Sequence, residues 1–204
     1  MLTPVKLRQI AVRHGGDKKR KNAIVALLCG VAPAFLLSLH SASTVRWQFW
    51  FGLMVGSIWG NAFEYVYHRW LLHRPRSPLG AGHHEHHALT GSPEEAEHVA
   101  LVSSPLNVIL LFVVNGVPAF LIASAVGQWG WLSGVFIGWS VYLIVTEEIH
   151  WRIHMSGWLP AGLRFARAYH MSHHGIPNRR YNVFLPLFDF LLGSAGPGRS
   201  KVPV

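Results

Sequence analysis

The chain is 204 residues long, half of them hydrophobic, with only 13% charged residues and a net charge of +9. Soluble domains carry about 25% charged residues, so this composition argues against a protein wetted on all sides. The single cysteine, Cys29, excludes a disulfide framework within one chain.

In chain order, a basic segment (residues 1–22) precedes an apolar run at 23–39, and the remainder (23–204) reads as one membrane-embedded domain. The basic stretch is long for a signal peptide, and Ser38–Thr44 offers no convincing cleavage site, so the segment is expected to be retained. Further apolar runs lie at about 47–67, 105–126 and 129–145. Each is about long enough to cross a bilayer, which takes roughly 20 helical residues. The fold class expected is therefore all-α and integral to the membrane, with about four transmembrane helices. All of the 18 Lys and Arg except Arg46 lie in the N-terminus, in 68–104 or after His150. With four crossings these three segments share one side, and the positive-inside rule makes it cytoplasmic. The charge is then a topology signal, and no nucleic-acid partner is needed to explain it.

The 14 histidines add the chemistry. Ten form four groups, all within those basic segments: His68 and His73; His83, His86 and His87; His150 and His154; and His170, His173 and His174. On a helix, positions i, i+3 and i+4 share a face, so the second and fourth groups each present three imidazoles together and the third presents two. His68 and His73, at i and i+5, would stand about 140° apart on a regular α-helix. They meet one centre only from its flanks or across a local distortion. The result is a cytosolic, histidine-rich helical cap.

Imidazole suits iron, zinc, copper and nickel. Five ligands for each ion exceed the four of a closed structural zinc site, so ten imidazoles read as a dinuclear redox centre. The spacing does not fix which groups share which ion. Glu64 and Glu147, each within a turn of a histidine, are expected to orient imidazole rings from behind. Glu95 and His98 sit in an acidic loop, and His14, His40 and His98 read as polar caps. A zinc hydrolase would favour His-Glu-x-x-His, but the position after His84-Glu85 that should be His is Ala88. Transport sites lie near the bilayer midplane, where these spans hold no histidine.

At these residues the chain resembles the fatty acid hydroxylase and sterol desaturase superfamily of membrane di-iron enzymes. The likeness is the order HX4H, HX2HH, HX3H, HX2HH and the closing apolar stretch Tyr181–Gly193, over roughly Asn61 to Ser194. It is nearest to the fatty acid and sphingolipid 2-hydroxylases, with carotenoid and sterol enzymes as alternatives. The resemblance implies an oxidoreductase that hydroxylates or desaturates a lipid with O2. It implies two metal ions, read as iron with zinc as the substitute in isolated protein, held by the ten histidines. No cytochrome b5 domain lies within the 204 residues, so the electrons are expected from a separate cytochrome b5-like or ferredoxin-type protein. Arg69, Arg74, Arg76, Arg179 and Arg180 are candidates for holding an anionic head group, and Leu159–Tyr169 for a segment lying in the interface.

Overall fold

The computed structural model describes residues 2–40, 46–74, 77, 79–127 and 129–196. Pro75, Arg76, Pro78, Gln128 and the connection at 41–45 lie outside the described residues, as does the side chain of His40. Every regular element among the described residues is helical: α1 (Pro4–His40), α2 (Arg46–Val66), a π-helical segment (Tyr67–Leu72), α3 (Gly80–Leu89), α4 (Glu95–His98), α5 (Pro105–Val126), α6 (Leu132–His154), a 3-10 turn (Ala161–Leu163), α7 (Arg164–Gly175) and α8 (Leu187–Leu191). No strand occurs among the described residues. The basic segment expected ahead of the first span is helical from Pro4 and runs unbroken into the apolar run, with Pro33 inside the helix.

Among the described residues three helices are long and apolar enough to cross a membrane: Pro4–Leu39, Pro105–Val126 and Leu132–His154. α2, the expected second span, falls short of that measure because Gln48, Asn61, Glu64 and several aromatic rings dilute its hydropathy. Its outward residues are nonetheless apolar or aromatic, with Trp47, Trp50, Phe51, Met54, Ile58 and Trp59 all exposed.

The chain divides into two compact units, one of Met1–Gly16, Asn61–Leu101 and Glu148–Val204, the other of Asp17–Gly60 and Val102–Glu147. The second unit packs by close backbone approach. Gly52 and Gly56 on α2, and Gly134 and Gly138 on α6, lie at four-residue spacing, the small-xxx-small pattern that lets membrane helices touch main chain to main chain. A Cβ on Gly56 would run into the Val135 backbone, and one on Gly134 into the Phe49 carbonyl. Polar groups supply the rest: Ser140 Oγ donates to the Ala26 carbonyl at 2.7 Å, and Trp59 Nε1 to Asn115 Oδ1 at 3.0 Å. Glu147 accepts the Val102 N–H at 3.0 Å, so it ties down the start of the α5 connection. α5 itself opens on a Ser104 cap with Pro105 in its first turn and stops at Gly127 in the left-handed region.

The first unit holds all ten grouped histidines. Its apolar core is Ile149, Ile153, Leu159, Ala166 and Val183, against which Leu101, Leu163, Met171 and Phe184 pack. That core joins the C-terminal end of α6 to α7 and to the loop following it. Leu159 and Ala166 are buried in it, whereas Phe165 of the same stretch and Trp158 just before it face outward.

Candidate metal centre

The ten histidines converge in two sets of five: His68, His73, His83, His87 and His173 in one, and His86, His150, His154, His170 and His174 in the other, each set with its ring nitrogens within 4.8 Å of one another. The groups are thus divided between centres. From α3, His83 and His87 join the first set and His86 the second; from α7, His170 and His174 join the second and His173 the first. The reason is angular. Positions i and i+4 lie about 40° apart around a helix, whereas adjacent residues diverge by about 100°. The i, i+4 pair aims at one centre while the residue between its members and next to its end aims at the neighbouring one.

His68 and His73 reach the same set by a distortion. The segment Tyr67–Leu72 is π-helical, and the His73 N–H closes an i+5 bond on the His68 carbonyl at 3.2 Å. That wider turn brings residue i+5 back over residue i, and the two rings stack with centroids 5.0 Å apart. π-turns of this kind recur at functional sites.

The ring nitrogens facing each other are the Nε2 atoms. In the first set His68–His83, His73–His173 and His83–His87 are 3.0 Å apart and His73–His83 3.2 Å. In the second, His150–His170 are 2.9 Å apart, and His154–His170 and His170–His174 are 3.1 Å. Hydrogen bonding alone cannot satisfy these contacts. His68 and His173 donate Nδ1–H to the main-chain carbonyls of Tyr181 and Arg179, and His154 Nδ1 lies 2.8 Å from Glu95 Oε1. Thr90 Oγ1 donates to the His86 carbonyl at 2.8 Å and so accepts from His174 Nδ1 at 3.0 Å. In their neutral forms these rings carry lone pairs at Nε2. His83 Nε2 and His170 Nε2 each face the Nε2 atoms of three other rings with at most one proton to give. The Nε2 of His86 is buried without a hydrogen-bond partner. A cation shared by each set answers every one of these atoms. Metal–imidazole bonds are about 2.0–2.1 Å, so neighbouring donors stand about 3.0 Å apart at right angles and about 3.4 Å apart in a tetrahedron. The spacing therefore favours a centre of five or six ligands over a tetrahedral one.

Burial, reinforced by the neighbouring imidazoles, keeps eight of these rings neutral. It lowers the pKa of His73 and His87 to about 4, of His173 to about 3 and of His174 to about 2. His68, His83, His86 and His170 are held well below the ordinary value for the same reasons. Neutral imidazole is the form that binds a metal.

Glu64 accepts from Asn182 Nδ2 at 2.9 Å and the Val183 N–H at 2.8 Å. Asp189 accepts the N–H groups of Tyr181 and Asn182 at 2.9 and 2.8 Å and the Ser194 hydroxyl at 2.7 Å. Together they pin the loop whose carbonyls orient His68 and His173, and Arg180 within it takes a left-handed φ of 61°. Among the described residues Glu95 is a carboxylate behind a ring, that of His154, and the sequence placed it in an acidic loop. Its relevance is set by a contact with a residue 59 positions away, and no local spacing encodes that. His84 stays outside both sets. His98 pairs with Glu85 at 3.2 Å, and His14 lies 3.8 Å from Glu97. Of the arginines, Arg69 bonds to the Tyr65 hydroxyl and covers the Tyr181 ring, and Arg180 bonds to Ser172 and covers Tyr169. These two have structural engagements beside any role toward a ligand.

The model of the fatty acid hydroxylase family matches residues 53–194. Neither a curated protein nor a solved structure matches the chain.

Proposed function

Because this chain belongs to the fatty acid hydroxylase family, we propose that it is a membrane oxygenase that hydroxylates or desaturates a C–H bond of a lipid, most simply a fatty acyl chain. The observation that carries this reading is the pair of five-imidazole sets, whose Nε2 atoms stand at the spacing of neighbouring ligands around one ion. His68, His73, His83, His87 and His173 would hold one ion, and His86, His150, His154, His170 and His174 the other. Iron fits an all-nitrogen, high-coordination site used for oxidation; when bound, it would supply the activation of O2 with electrons from an external cytochrome b5-like or ferredoxin-type donor.

The chain's own part is to hold and to exclude. Tyr181, Arg179, Glu95 and Thr90 fix the Nδ1–H tautomers and so aim Nε2 inward. Burial of His68, His150, His170 and His173 keeps water from the donors. The exposed apolar faces of α1, α2 and α5 fit contact with lipid. Four crossings, with Trp47 and Trp50 of α2 in the interfacial belt, would place the histidine-bearing segments on the cytoplasmic side. Arg69, Arg74, Arg76, Arg179 and Arg180 remain candidates for an anionic head group.

The test is expression in a bacterial host supplied with fatty acid, ceramide, sterol and carotenoid precursors and a reductase system, beside His170→Ala and His173→Ala. A lipid heavier by one oxygen, or lighter by two hydrogens, and absent in both variants is the expected result. An unchanged lipid profile from folded protein carrying two irons and supplied with a donor would sink the substrate proposal. Protein that takes up only zinc in iron-rich cells would sink the oxygenase reading.

A further inference from the structure

We propose, resting on the two-metal reading above, that Glu95 is a positioning residue that makes the set His86, His150, His154, His170 and His174 the tighter of the two metal centres. The two sets are supported by different chemistry. Around the first, the rings of His68 and His173 donate to main-chain carbonyls, which are neutral acceptors. Around the second, His154 meets the carboxylate of Glu95 at 2.8 Å, with 0% and 13% of the two side chains exposed. A carboxylate behind an imidazole raises its basicity and offsets part of the charge of a bound dication, and at this degree of burial water screens little of that effect.

Glu95 is itself held. Its Oε2 accepts the Gly91 N–H at 2.9 Å, and Gly91 turns the chain with a φ of 83° that other residues rarely adopt. The same turn carries Thr90, which bonds the His86 carbonyl and the His174 ring. One short turn therefore reaches three of the five residues of the second centre. Behind it lies a cavity of about 390 Å³ lined by Arg8, Thr90, Glu95, His154 and Arg167 among others. The cavity is large enough for a small carboxylate such as formate, which makes the role of Glu95 testable by rescue.

The purified 204-residue chain in detergent is loaded with cobalt(II), and the loss of each ion to a chelator is followed by metal count and visible spectrum. Wild type is expected to lose its two ions at different rates. Glu95→Ala should speed the loss of the slower ion by about 10- to 100-fold, the usual effect of removing such a partner, and leave the other ion at its wild-type rate. Glu95→Gln keeps an acceptor without the charge and should fall between. Formate, but not acetamide, should restore the slow phase in Glu95→Ala, a response that a purely structural role would not give. Equal acceleration of both ions, no acceleration, or no recovery with formate overturns the inference while leaving the two-metal reading in place. A wild type that binds fewer than two ions overturns both.

Discussion

At the scale of single residues, the clustered histidines combine two demands that pull the same way. A ligand must be unprotonated to bind metal, and a buried imidazole resists protonation because its charged form is poorly solvated. Folding thus presets the candidate ligands, at a thermodynamic cost that depends on pH. In the metal-free folded protein His73 and His87 protonate only at about 4, and His173 at about 3, against an ordinary 6.5. The unfolded chain therefore binds more protons than the folded one below 6.5. The stability tied to neutral rings is fully present above about pH 6.5 and is lost progressively as pH falls toward 4. Thermal unfolding of chelator-treated protein across pH 7.5 to 4.5 should show a falling midpoint, with several rings contributing. A flat profile would contradict neutral burial of these rings. Bound metal should raise the midpoint at every pH and be released along the same slope, because protons and metal compete for Nε2.

At the scale of elements, two departures from regular geometry position the chemistry. The π-helical turn after α2 solves the i, i+5 problem of His68 and His73, and the i, i+3, i+4 triplets of α3 and α7 straddle two centres. The helix pair α2–α6 shows the complementary device, in which absent side chains let main chains touch. Gly56→Leu should destabilise the protein by more than the roughly 1–3 kcal/mol of ordinary overpacking, since its Cβ would meet the Val135 backbone and no flexible side chain can yield. Gly16→Ala, with open space around its Cβ, should be neutral or stabilising by about 0.5–1 kcal/mol. Denaturant titration in detergent micelles compares the two. Equal stability of Gly56→Leu and wild type would show that α2 and α6 do not approach in this way.

At the scale of the whole molecule, the Lys and Arg distribution predicts sidedness. In a Cys29→Ser background, Ala42→Cys and Gln128→Cys should react with an impermeant thiol reagent from outside intact cells, and Thr3→Cys only after permeabilisation. That pattern requires both short connections to be external and the basic N-terminus internal. Labelling of Thr3→Cys in intact cells would reverse the orientation read from the Lys and Arg distribution.

Composition, charge and spacing by themselves determined the helical membrane character and the grouping of ten histidines, because apolar runs and short ligand intervals are properties of neighbouring residues; the order of the four groups carried the resemblance to the family. The same reading weighed Glu64 and Glu147 as ring partners because each lies within a turn of a histidine. Only the tertiary structure decided how the ten divide into two sets, since that depends on the relative directions of α3, α6, α7 and the π-turn. It also decided that Glu95 and Thr90, with the Tyr181 and Arg179 carbonyls, hold the rings from behind. Of these partnerships, the Glu95, Thr90 and Tyr181 contacts span 59 to 113 positions of sequence. Only packing brings such residues together, and a pattern of near neighbours carries no trace of them.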